Sequence, residues 1–373
     1  MPITLNGDTG IQTPMYNGAI ASNVVTPSVN MKNRIINGDM TIDQRNAGAS
    51  VTISSNAAYT YTLDRFFAYG SATSKFSVQR NAGAVTPPVN FTNYLGVTSL
   101  SAYAVSGGEQ FIVGQAIEGL NVSDLAWGTA SASAVTLSFR VYSSLTGTFG
   151  GAISNSAQNR SYPFSYSVPA ANTWTTISVT VAGDTSGTWL TTNGVGVYVF
   201  FGLGVGPSSS GTAGAWSAGQ LVSATGATSV VGTNGATFYI TGVQLEVGSN
   251  ATSFDYLPYG TELALCQRYF WRTTGTSGTG YAAIGAGGFV TTTNFSAFIP
   301  YPVQMRATPT FSIASDLYIT VIGFPAVTGI SGNYGNQYSA RVEFTTSTSV
   351  GGYGGAVALE NTTASFINAS AEL

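Results

Sequence analysis

The sequence predicts an all-β chain built around an antiparallel sandwich, with an extended N-terminal arm, one short connecting helix and a smaller C-terminal β domain. Three observations carry this reading. Apolar and polar residues alternate with period two in many short runs, the pattern of half-buried strands. Glycine (46 of 373 residues), serine and threonine fill the gaps between the runs, as turn formers do. Charged residues make up only 7% of the chain, against about 25% in ordinary soluble proteins, and the Ala/Glu/Lys/Leu/Arg bias of helical arrays is missing.

In chain order, residues 1–32 carry Pro2, Pro14 and Pro27 with Asn-Gly and Gly-Asp turns and no strong periodicity, so they read as an arm that must pack on a neighbour to repay its ordering entropy. A large β domain is expected over residues 33–259. There Val135, Leu137, Phe139 and Val141 point one way and Thr136, Ser138 and Arg140 the other. Ile177, Val179 and Val181 repeat the pattern. Val195, Val197, Val199, Phe201 and Leu203 form one face of a run whose other face holds glycines and aromatics, a strand covered on both sides. Tyr239, Val243, Leu245 and Val247 are expected on one face of a later strand. Gly150-Gly151, Gly183-Asp184 and Asn193-Gly194 are read as turns between such runs. The segment Thr261–Arg272 has Leu265, Tyr269 and Arg272 at helical spacing, glutamate early and arginines late, which suits a helix dipole. It follows Pro258-Tyr259-Gly260, so a boundary is placed near 260 and residues 260–373 form the helix plus a smaller β domain, where Leu317, Ile319 and Val321 alternate again.

Composition removes several chemistries. With no histidine there is no Ser-His-Asp or Cys-His nucleophile system and no His/Cys zinc site. One cysteine, Cys266, forbids an intrachain disulfide and is expected to be a buried small hydrophobe. The net charge of −3 with scattered cations gives no basic face for nucleic acid. No run of roughly 20 apolar residues predicts membrane insertion, and residues 1–10 lack the basic and apolar regions of a secretory signal. The expectation is a soluble, uncleaved chain made in a cytosol, with either a surface of hydroxyls and amides or one buried in an assembly.

Four stretches carry a resemblance. Asn33-Arg-Ile-Ile-Asn-Gly-Asp-Met-Thr-Ile-Asp-Gln-Arg45 resembles the opening strand of many bacteriophage tail-fibre and virion-appendage proteins. Gln115–Gly128 and Tyr239–Gly248 resemble later parts of the same module, and Phe254–Phe270 is similar to the junction that ends it. Tyr301–Pro309 extends the likeness weakly into the last domain. The resemblance implies that 33–259 is a jelly-roll domain like the carbohydrate-binding modules and that 260–373 ends in a β-sandwich. It implies a virion protein synthesised in the host cytoplasm, a homotrimer, anchored to other virion proteins through its arm and touching host-surface polysaccharide or lipopolysaccharide. In such modules an Asn-Gly-Asp-Phe-Glu-like first strand and an acidic last strand often flank a structural calcium. Here Asn37-Gly38-Asp39 matches, Met40 and Thr41 depart from the pattern, and the last strand offers Glu246, so the candidate metal ligands are Asp39 and Glu246. The alternative is a turn before a strand.

The aromatics are the other candidates. Trp174, Trp189 and Trp216 fall at strand edges or loops among Asn, Ser and Thr, where exposed rings could stack on the apolar C–H faces of sugars; the competing reading is core. Tyr59, Tyr61, Phe66, Phe67 and Tyr69 cluster, and the adjacent Phe66-Phe67 indicates a strand buried on both faces, so this cluster is read as mostly core. Tyr269, Phe270 and Trp271 are consecutive and are expected at a domain or subunit contact. Two-carboxylate glycoside hydrolysis is the enzyme chemistry that needs no histidine. Asp43, Asp64, Glu109 and Glu118 are instead read as solvated or ion-paired with Arg45, Arg65 or Arg80. The function expected is thus a non-enzymatic appendage subunit adhering to glycans; a capsid decoration or tail connector is the alternative, and a glycan depolymerase the third.

Overall fold

The structure, a computed structural model, describes residues 4–6, 10–12, 31–54, 58–275, 281–314, 317–321, 323–348, 353–360 and 363–373. Two compact units, residues 1–32 and 33–373, can be described separately. In the first, Thr4–Asn6 pairs antiparallel with Gly10–Gln12; the rest of the expected arm, apart from Met31 and Lys32, lies outside the described residues.

The second unit is almost entirely antiparallel sheet. A seven-stranded sheet runs in the order Ser217–Ala218, Arg160–Val168, Gly147–Asn155, Val195–Val205, Gln110–Glu118, Phe66–Gly70, Thr60–Leu63. It faces a six-stranded sheet ordered Thr175–Val181, Val135–Ser143, Thr237–Val247, Leu95–Ser99, Phe76–Arg80, Val51–Thr52. Non-sequential neighbours in both sheets give the crossed connections of a jelly roll. The alternation read from sequence supplies the core: Val135, Leu137, Phe139 and Val141 from one sheet meet Val197, Val199, Phe201 and Leu203 from the other, all buried. Gly150 and Gly151 are not a turn. They lie mid-strand, because a Cβ on Gly151 would come within 2.2 Å of the Phe200 carbonyl and 2.5 Å of the Phe164 ring.

Two bulges break the simple parity. The ladder shifts between Val195 and Val197, so Val195 packs on the outer face of the seven-stranded sheet rather than with Val197 in the core. It shifts again between Thr241 and Gln244, where Gly242 takes φ +60° and a Cβ would meet Phe91 at 2.6 Å. Before that bulge Phe238 and Ile240 point inward; after it Val243 and Leu245 do. Tyr239 therefore turns outward to stack on Tyr94 and Tyr142, against the single face expected, while Val247, in phase with Val243 and Leu245, is exposed at the strand's end.

The stretch 33–45 forms turns rather than an opening strand. Side-chain amides replace its ladder. Asn33 accepts from the Ile35 and Leu245 N–H groups and donates to Val243. Asn37, at φ +60°, donates to the Ile42 and Asp64 carbonyls and accepts from Ile42 N–H. Gln115 makes a reciprocal pair with the Ile36 backbone. These bonds satisfy the buried polar backbone of an irregular segment.

The one α-helix among the described residues is Tyr259–Gln267, shorter than expected. Phe270–Thr274 is already a strand, paired with Phe366–Ser370, since three consecutive aromatic or long residues cover two sheet faces better than one helix stripe. Cys266 is fully buried. Beyond it, a three-stranded sheet (Phe270–Thr274, Phe366–Ser370, Thr310–Ile313) covers a six-stranded one (Leu317–Ile319, Gly354–Leu359, Ala282–Phe289, Asn294–Pro300, Ser339–Thr346, Val327–Gly335). Phe295, Ile299, Val342, Phe344, Val357 and Ile367 are among the residues filling this second core.

Buried charge ties the two cores together. Arg65 is 1% exposed, donates to the Glu372 carboxylate and the Ala116 carbonyl, and lies 3.6 Å over the Tyr269 ring. Arg45 pairs with the same Glu372 at 2.6 Å and stacks 3.6 Å over Phe270. Arg268 grips Glu118 with two hydrogen bonds of 2.9 and 2.6 Å, and the Tyr269 hydroxyl donates to it at 2.5 Å. Trp271 packs on the C-terminal core. Tyr269, Phe270 and Trp271 thus lie where the chain passes from one core to the other.

Candidate functional site

The outer face of the seven-stranded sheet carries its own apolar floor: Phe67, Ile112, Ala116, Ala152, Tyr198 and Phe200 are buried there by a half-buried layer of side chains. The period of the strand explains the split. Phe66 points into the sandwich core while Phe67 and Tyr69 point outward, so the pair Phe66-Phe67 is buried on both faces as expected. What covers the outer side corrects the sequence reading: Tyr59, Tyr61 and Tyr69 are not core but half-buried walls of a cleft.

This cleft encloses about 640 Å³, within the roughly 300–1,000 Å³ of small-ligand sites. Tyr59 stacks on Phe67 at 4.2 Å and meets Tyr69 edge-on at 6.0 Å. Gln158 sits on the turn between Gly147–Asn155 and Arg160–Val168, at φ +50°, and donates to the Tyr59 hydroxyl at 2.9 Å. Gln220 in turn donates to Gln158 at 2.8 Å. Gln110, at the start of its strand, donates to the Ser209 hydroxyl at 2.9 Å, and the Tyr61 hydroxyl donates to the Leu373 carbonyl at 2.8 Å. Burial, reinforced by neighbouring Tyr198, pushes the Tyr59 hydroxyl well above the usual phenol range; burial, aided by Glu372, does the same to Tyr61. Both stay neutral donors. Each glutamine amide has two N–H donors and a two-lone-pair acceptor, so these bonds use only part of its capacity. Ring faces flanked by neutral amides and hydroxyls match a sugar, whose apolar C–H face is rimmed by hydroxyls. Among the described residues lining the cleft, no side chain is charged.

The tryptophans stand differently. Trp189 and Trp216 form an edge-to-face triad with Trp127, with centroids 4.7–5.3 Å apart. Trp127 is buried, and the other two pack against the sandwich core. All three indole N–H groups donate to nearby backbone carbonyls: Trp127 to Ser133, Trp189 to Ser186 and Trp216 to Ala182. The crevice beside Trp127 and Trp189 holds about 10 Å³, room for about one water. Trp174 packs on Tyr94 and Tyr142 over the opposite sheet and donates to the Thr86 carbonyl.

Asp39 and Glu246, the candidate metal ligands, are each hydrogen-bonded within the protein. The Asp39 carboxylate accepts from the Thr41 N–H and hydroxyl, and Glu246 accepts from Gln244 and from the Thr252 N–H and hydroxyl. Among the described residues no three His, Cys, Asp or Glu side chains gather to hold a metal. The other acids are also engaged within the protein. Asp43 lies 3.9 Å from Arg80, Asp64 accepts from Gln44, and Glu109 accepts from Tyr103 and Ser106. The signal that could have found the cleft was the parity of Tyr59, Tyr61 and Tyr69, which puts all three on one face; the three glutamines come from separate elements and have no local mark.

No family model matches the chain, and no curated protein matches it. Solved structures do. One is the enzymatically active domain of tailspike protein 4 of bacteriophage CBA120, at 11% identity over 58% of this chain and TM-score 0.30; the match spans about a fifth (21%) of that longer chain. Another is the family 11 carbohydrate-binding module of Clostridium thermocellum in complex with a β-1,3-1,4-mixed-linked tetrasaccharide, at 11% identity over 57% of this chain and all of that one, TM-score 0.27. A third is the xylanase 10B fragment of the same organism complexed with xylohexaose, at 13% identity over 59% of this chain and 32% of that one, TM-score 0.27.

Proposed function

We propose that this chain is a subunit of a bacteriophage appendage, a tail fibre or similar structure, that adheres to host-surface glycans through the Tyr59–Tyr61–Tyr69 cleft. The observation that carries the binding reading is the cleft itself: three tyrosines and three glutamines over one outer sheet face, around about 640 Å³, with no charged side chain among the described lining residues. Cleavage of a glycosidic bond typically uses two Asp or Glu side chains flanking it, and none of the described residues lining the cleft is either, which favours a surface that holds saccharide without cutting it. The appendage part of the reading rests on the sequence resemblance of residues 33–272. In that reading residues 1–32 dock on other virion proteins and three copies assemble, so that weak sugar contacts are multiplied by copy number.

The test is binding of the purified chain to a panel of bacterial surface polysaccharides and lipopolysaccharides. Saturable binding that Tyr59→Ala and Tyr69→Ala each weaken by about tenfold or more, about 1.4 kcal/mol, supports the cleft. Binding untouched by both variants, or release of reducing ends from the polysaccharide, contradicts it.

A further inference from the structure

The opposite face of the sandwich holds a second groove, of about 230 Å³, over the six-stranded sheet. Its floor is a small lattice of cross-strand pairs: Ser138 faces Ser178 and Arg140 faces Thr176 on adjacent strands, all on the outer side. Its wall is three rings, Phe91, Phe254 and Tyr256, with centroids 4.8–5.7 Å apart; Tyr256 is 51% exposed. The bulge at Gly242 makes the room, since a side chain there would collide with Phe91.

Arg140 is the unusual member. Each other arginine of the chain has an ion pair or a side-chain hydrogen bond: Arg34, Arg45, Arg65, Arg80, Arg160, Arg268 and Arg341 with carboxylates, Arg272 and Arg306 with carbonyls or an amide. Arg140, half-buried in the groove, has neither among the described residues, and no carboxylate lines the groove with it. In a chain with only 12 cations, a guanidinium left unpaired between hydroxyls and aromatic rings is a fork without its planar anion.

We infer that this groove binds a single carboxylate-bearing sugar unit, a uronic-acid residue of an acidic polysaccharide, with Arg140 on the carboxylate and the Phe91–Phe254–Tyr256 wall against the ring. The volume falls below the range of larger ligand sites, which suits one ring rather than a chain of them. Ser138, Thr176 and Ser178 supply short hydroxyls for the sugar rim. This site stands on its own residues and does not depend on the tyrosine cleft.

The probes are methyl β-D-glucuronide, methyl β-D-glucoside and acetate, titrated into the full chain by calorimetry and ligand-observed NMR. The glucuronide should bind at least tenfold tighter than the glucoside and than acetate, and should weaken as salt is raised. Arg140→Gln should remove the preference over the glucoside, and Arg140→Lys should keep the charge but lose most of that preference. Tyr256→Ala, remote from the core, should weaken the glucuronide without altering the fold. Equal affinity for glucuronide and glucoside, or glucuronide binding unmoved by both Arg140→Gln and Arg140→Lys, overturns the site. Acetate matching the glucuronide overturns the sugar; absence of any glucuronide binding overturns the whole inference.

Discussion

The tyrosine cleft and the tryptophan triad are both aromatic clusters on one jelly roll, yet their rings are arranged in opposite ways. In the triad the rings are packed edge to face, every indole N–H is satisfied by backbone, and about 10 Å³ is left beside them. In the cleft the rings line about 640 Å³, and the polar groups around them are amides with unused donors and acceptors. The difference teaches that ring count does not make a platform. A recognition surface needs ring faces with room beside them and neutral hydrogen-bonding groups at the rim, whereas a core spends both on itself.

Substitutions should separate the two. The largest effect is expected from Trp127→Ala, which empties the centre of the triad and should cost about 3–5 kcal/mol of stability, read as a fall in the denaturant midpoint, with saccharide binding of the folded fraction unchanged. A similar loss, about 3–5 kcal/mol, should follow Glu372→Ala, because it strands the buried Arg65 and also frees Arg45; if the midpoint hardly moves, the joint between the cores is not held by that carboxylate. Tyr59→Ala should do the reverse of Trp127→Ala: a smaller stability change, with saccharide affinity down by about tenfold. A tryptophan variant that abolishes binding while folding normally would erase the distinction.

The smallest effect expected is on pH. Burial pushes Glu262 up to about 7, with Asp39 and Asp255 adding to it and a hydrogen bond from Asn37 N–H opposing it; burial pushes Asp64 up to about 6 against the pull of Arg45 and Gln44. Between about pH 4.5 and 7 the folded chain therefore keeps protons that the unfolded chain has released, so their contribution to stability falls as pH rises through that window and levels above it. The carboxylates held low, Asp184 beside Arg160 and Glu109 under Tyr103, change their contribution only at more acid pH. The Tm should be higher near pH 5.5 than near pH 8, and Glu262→Gln should shrink the difference; a Tm that instead rises with pH across this range contradicts the assignment.

The all-β class, the two-layer sheet and the inward faces of Val135–Val141 and Val197–Leu203 were legible because strand parity is a local property. Parity failed where a bulge intervened, at Val195 and between Tyr239 and Val247, since an inserted residue leaves no unambiguous mark beyond a glycine such as Gly242. The helix was legible at its start, but its end was set by pairing of Phe270–Thr274 with Phe366–Ser370, almost a hundred residues away. The cleft was half visible. Adjacent Phe66 and Phe67 signalled a strand covered on both sides, but not that Tyr59, Tyr61 and Tyr69 were the cover, nor that Gln110, Gln158 and Gln220 would converge on them. Trp189 and Trp216 drew attention as loop tryptophans, and only their contacts reveal that Trp127 and the backbone occupy them.

The most direct measurement is chemical-shift mapping of a bound neutral oligosaccharide on the folded chain. Shifts centred on Tyr59, Tyr61, Tyr69, Gln110 and Gln158, saturating together with one affinity, are predicted. Shifts centred on Trp189 and Trp216, with the tyrosine cleft silent, would contradict the proposal.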